Sequence, residues 1–104
     1  MSTKSRFAGL LVTASLLLGG CATVTEAGYY WGNYSRTLYK YTKAPSEQTL
    51  AEHANELERI IAESKKRNLR VPPGIHAELG YIKARTGEDA LAKAHYENEM
   101  QQYP

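Results

Sequence analysis

Apolar residues come first as a nearly unbroken run of about twelve, Phe7 to Leu18, and then at spaced intervals. From Tyr29 onward the spacing is helical. Trp31, Tyr34, Leu38 and Tyr41 fall at i, i+3, i+7 and i+10, which predicts a first helix from Tyr29 with these four on its inward face. Ala44-Pro45-Ser46 breaks the pattern, and Ser46 suits the N-cap of the next helix. There Leu50, Ala54, Leu57 and Ile61 make a second stripe at i, i+4, i+7 and i+11, with Glu47, Glu52, Glu56 and Glu58 on other faces. Lys65-Lys66-Arg67 complements the negative end of that helix, and Asn68 can take the left-handed cap. The stiff connector Leu69-Arg70-Val71-Pro72-Pro73-Gly74 allows a helix to begin only at its second proline. A third helix is expected from about Pro73 to Thr86, with Ile75, Leu79 and Ile82 inward. Gly87 then serves as C′ residue, and Glu88-Asp89 open a fourth helix that ends near Tyr103. No segment alternates with the period of a strand. The fold class expected is all-α, two antiparallel helical hairpins.

The second hairpin carries a more specific spacing. His76-x₂-Leu79-Gly80-x₂-Lys83, Ala92-x₃-Tyr96 and Pro104 stand where the tetratricopeptide pattern has its aromatic, Leu-Gly, tyrosine, alanine, aromatic and proline. The reasons are steric. Gly80 and Ala92 let two antiparallel helices approach, Leu79 and Tyr96 fill the groove between them, and Pro104 stops the second helix. His76 and Lys83 depart from the aromatics of the pattern. Trp31-x₂-Tyr34-Ser35-x₂-Leu38 echoes the first-helix template weakly, as a degenerate repeat.

The apolar run at the start is too short for a bilayer core that takes roughly 20 helical residues. Lys4 and Arg6 before it and small residues after it make a secretory signal. Leu18-Gly19-Gly20-Cys21 resembles the lipobox of bacterial lipoproteins, and Cys21 is the one cysteine of the chain. The resemblance implies cleavage after Gly20 and a diacylglyceryl group on the Cys21 sulfur. Each buried CH₂ of such an anchor contributes about 0.8 kcal/mol, so two or three acyl chains hold durably. Ala22, where an aspartate would favour inner-membrane retention, implies by the same resemblance an outer-membrane protein facing the periplasm. The organisation expected is a signal peptide over 1–20, lipidated cysteine and spacer over 21–28, and a helical domain over 29–104. A catalytic thiol is disfavoured, since no histidine lies near Cys21 in the sequence.

Charge changes the picture only by subtraction. The chain carries 13 Lys+Arg and 11 Asp+Glu, and removing Lys4 and Arg6 with the leader leaves 11 of each. A basic balance that belongs to the leader gives no support to nucleic-acid binding. His53, His76 and His95 are the three histidines, and none pairs with another at i+3 or i+4, so no metal site is expected. The carboxylates sit at surface spacings with cationic partners such as Glu63 and Arg67, and four short helices offer little cleft. The nucleophile–base arrangement of a hydrolase is missing from the sequence pattern, and neither an enzyme nor a cofactor is expected. Six aromatics among Tyr29–Tyr41 divide into core positions and Tyr29, Tyr30 and Tyr39, which can face a partner or a membrane interface.

Taken together, the lipobox, GYYWGNYSRTLYKY and VPPGIHAELGY resemble a domain-of-unknown-function family of small bacterial lipoproteins, often encoded beside lipoproteins like the curli secretion channel. The resemblance implies a role in envelope assembly and transfers no catalytic residue. The function expected is a lipid-anchored adaptor that docks another envelope lipoprotein or a secretion-type channel, with homo-oligomers possible. Tyr30, Tyr39, His76, Lys83 and His95 are the contact residues expected. The alternative is recognition of peptidoglycan or another glycan through the tyrosines.

Overall fold

The computed structural model describes residues 28–104, and the expectations for the signal segment and for Cys21 lie outside them. Four helices follow one another: α1 (Tyr34–Lys43), α2 (Glu47–Lys66), α3 (Ile75–Arg85) and α4 (Asp89–Gln102), with no strand among the described residues. α1 packs on α2, α3 on α4, and α2 on α3, so two hairpins are joined through their middle helices. The all-α, double-hairpin expectation holds.

Local chemistry sets the boundaries. Ser46 closes a reciprocal capping box: its Oγ accepts from the Thr49 N–H at 3.0 Å, and Thr49 Oγ1 accepts from the Ser46 N–H at 3.0 Å. α2 ends in a Schellman turn. Asn68, left-handed at φ 55°, donates its N–H to Lys65 O, and Leu69 donates to Ser64 O at 2.8 Å. α3 ends the same way, with Gly87 at φ 81° and Glu88 donating to Lys83 O at 2.9 Å. The N-terminus of α3 has a different solution. Gly74 has no capping side chain, and the Glu99 carboxylate of α4 instead accepts from the Gly74 and Ala77 N–H groups at 3.1 and 3.2 Å.

One boundary differs from expectation. α1 begins at Tyr34, because Gly32 turns left-handed at φ 49° and the Tyr34 N–H closes a turn onto Trp31 O at 3.0 Å. Trp31 therefore lies outside the helix, 42% exposed, with its ring edge-on to Tyr34 at 5.3 Å. It is no core residue.

The core lies between α2 and α3. Leu57, Ile60, Val71, Ile75, Leu79 and Ile82 are buried, with Tyr30, Tyr34, Leu50, Ala54 and Ile61 packed around them. Each such leucine or isoleucine contributes about 1.5–3 kcal/mol by leaving water. Gly80 sets the spacing of the second hairpin. A Cβ there would stand 2.9 Å from Tyr96 Cε1 and 3.2 Å from Ala92 O, which is the close approach that the spacing predicts.

Candidate interaction site

The inward face of α2 is half polar. Thr49, His53, Glu56, Ile60 and Ser64 are all buried, at helical spacing, beside the apolar stripe. His53, only 1% exposed, joins three helices. Its Nε2 donates to Glu78 Oε1 of α3 at 2.5 Å, and its Nδ1 accepts from the Thr37 hydroxyl of α1 at 2.7 Å. The tautomer is assigned from these partners: the carboxylate oxygen accepts, so the ring proton sits on Nε2 and Nδ1 is left to accept. The Tyr34 hydroxyl donates to the other Glu78 oxygen at 2.7 Å, and burial together with that bond pushes its pKa up to about 12. A hydroxyl–imidazole–carboxylate series is thus present, contrary to the expectation that no such arrangement exists. Thr37 also lies 3.3 and 3.2 Å from Asn33 O and Tyr34 O, in the body of α1, where its own N–H is spent on Asn33 O. The network ties α1, α2 and α3 together through His53.

His53 was legible in part. It falls at i+3 from Leu50 and i−4 from Leu57, inside the apolar stripe, and a buried imidazole needs partners. Which partners it finds depends on α1 and α3, which no local spacing reveals.

Tyr30 is placed internally. Its hydroxyl accepts from Arg59 Nη1 at 2.8 Å, and the Arg67 guanidinium lies 4.2 Å over its ring. Arg59 also grips buried Glu56 through Nε and Nη2, both at 2.7 Å, and that contact holds the Glu56 carboxyl below its ordinary range. Tyr39 is placed oppositely, 65% exposed, with Lys43 Nζ 5.7 Å from its ring centre.

The other three expected contact residues gather on the second hairpin. His76 of α3 and His95 of α4 face each other with Nδ1 atoms 3.0 Å apart and ring centres 5.2 Å apart. Burial lowers both pKa values, and for His76 the neighbouring His95 lowers it further. Lys83 bridges Glu58 of α2 and Glu88 at 3.4 Å each, and Glu58 and Lys83 also act on His95. No group of three or more metal-ligating side chains gathers among the described residues. Outside this cluster the hairpin presents large apolar side chains to solvent: Tyr81 at 57%, Leu91 at 48%, Tyr96 at 38% and Met100 at 63% exposure.

Comparison with known families decides one point. A family model described as a domain of unknown function, DUF4810, matches residues 29–104. The chain belongs to this family. The match begins at Tyr29 and takes in all four helices, so the DUF4810 unit and the two hairpins are the same object. No curated protein and no solved structure matches the chain. Among the described residues no helix is long and apolar enough to cross a membrane.

Proposed function

We propose that this DUF4810 protein is a lipid-anchored adaptor that docks another envelope protein, a lipoprotein or secretion-type channel subunit, and assists its assembly. The observation that carries the reading is the uncovered face of the second hairpin. In a tetratricopeptide array the two helices of one unit receive the first helix of the next. Here Tyr81 on α3 and Tyr96 and Met100 on α4 stand exposed on the hairpin that would receive it. Side chains of this size, open on one small unit, mark an interaction surface. The lipobox supports the anchoring half of the reading. Photo-crosslinking from position 81 or 100 in intact envelopes tests the docking half, and a discrete adduct with an envelope protein is the expected outcome. For the anchor, Cys21→Ser is expected to abolish palmitate labelling and to leave the precursor uncleaved.

Trp31 and Tyr39 favour a second reading, glycan binding, because both expose an aromatic ring. Pull-down on purified sacculi separates the two. Retention that Tyr39→Ala abolishes, with no protein adduct from the second hairpin, replaces the adaptor by a glycan-binding lipoprotein.

A further inference from the structure

α1 is unlike the other helices in charge. It carries Arg36, Lys40 and Lys43 and no carboxylate, whereas α4 sets Asp89, Glu97 and Glu99 against Lys93. The balanced charge of the domain is therefore separated between helices that do not touch. Arg36, Lys40 and Lys43 fall at i, i+4 and i+7, on one side of α1, and Tyr39 stands among them. With Ala44 these residues border a shallow concavity of about 420 Å³. Lys40 reaches Glu52 at 2.8 Å across exposed surface, while Arg36 and Lys43 have no ion-pair partner among the described residues.

An open, cationic helix face with one exposed tyrosine has the chemistry of a headgroup layer. Tyrosine rests at the level of lipid headgroups, and lysine and arginine extend their stems along apolar surface while their charges meet phosphates. A saccharide site asks for aromatic rings beside converging polar groups, and around Arg36, Lys40 and Lys43 α1 exposes a single ring, Tyr39. We propose that α1 lies on an anionic bilayer surface, with Tyr39 at headgroup depth and Arg36 and Lys43 on lipid phosphates. The proposal rests on the reading that the chain works at a membrane. It adds an orientation: the tethered domain rests on α1 and leaves α4, which does not pack on α1, free for a partner.

Full-length protein carrying Trp31→Phe and Tyr39→Trp has one tryptophan, at position 39, because Trp31 is the chain's only one. Produced in a bacterial envelope and reconstituted, it is tested on vesicles of brominated phosphatidylcholine with and without brominated phosphatidylglycerol. The expected result is quenching at position 39 that depends on phosphatidylglycerol and is lost in molar salt. Each cation near an anionic surface strengthens association by about fivefold. Adding Arg36→Glu and Lys43→Glu should therefore lower the ratio of docked to undocked domain by roughly 25-fold or more, with helicity by circular dichroism unchanged. A tryptophan that stays unquenched while the protein floats with the vesicles overturns the proposal. So does quenching that is equal without phosphatidylglycerol or indifferent to the two reversals. Failure to float with pure phosphatidylcholine vesicles would sink the lipid anchor instead, and the phosphatidylglycerol-dependent quenching would still decide the orientation.

Discussion

His76 and His95 show what a single contact can impose. Two neutral imidazoles share one hydrogen bond, Nδ1–H to bare Nδ1, whereas two imidazolium rings at 3.0 Å repel and have no acceptor between them. Both folded pKa values are lowered, so the unfolded chain, near 6.5, binds protons first on acidification. Their stabilisation is fully present above about pH 6.5 and is lost as pH falls from there through the lowered folded values. Of the groups facing the pair, Glu99 on His76 and Glu58 on His95 soften the loss and Lys83 beside His95 adds to it, without changing its sign. Urea denaturation at pH 7.5 and pH 5 is expected to show lower stability in acid, and His95→Gln should flatten that dependence. Gly80 carries a second prediction. The Tyr96 ring can rotate away from a new Cβ, but Ala92 O belongs to the α4 backbone, so Gly80→Ala must move a helix. A cost of about 1–3 kcal/mol is expected in equilibrium unfolding, with α3 and α4 still helical.

Helix ends were the most legible elements, because capping is written within a few residues. Ser46, Asn68 and Gly87 each sit where their chemistry requires, and α2, α3 and α4 start and stop close to the predicted positions. The start of α1 was misjudged for a physical reason: the aromatic periodicity runs on through Trp31, while Gly32 leaves helical space and ends the helix beneath it. The polar stripe of α2 was hidden differently. Glu56 falls off the apolar stripe in the sequence, and it is buried where the Asn33 N–H before α1 donates to it at 3.2 Å. The cap on α3 was invisible for the same reason, since its acceptor, the Glu99 carboxylate, lies 25 residues away from Gly74. That cap is testable. Glu99→Ala leaves the Gly74 and Ala77 N–H groups without their carboxylate and is expected to cost about 1 kcal/mol. Amide exchange should accelerate first at Ile75–Glu78, whereas a loss confined to α4 would mean that Glu99 does not serve α3.

For the molecule as a whole, cohesion and openness have different locations. The core and the His53–Glu78 network bind the first hairpin to α3, while the outer face of the second hairpin is left apolar and uncovered. Large apolar side chains left open together on a small unit are a feature of interaction surfaces. Substitutions there should consequently separate stability from association. Tyr81→Glu with Met100→Glu replaces two side chains that are 57% and 63% exposed, so the midpoint of thermal unfolding is expected to move by no more than about 4–8 °C. The same pair places two carboxylates in the centre of the proposed docking face, where burial of unpaired charge costs several kcal/mol. Loss of the envelope adduct with the fold intact is the expected outcome, read by crosslinking from a third position on the same side of α4, Tyr96. A double variant that melts far below the parent protein would place Tyr81 and Met100 within the fold's own support. An adduct that persists undiminished would move the partner to another surface, away from the hairpin where the tetratricopeptide spacing is clearest.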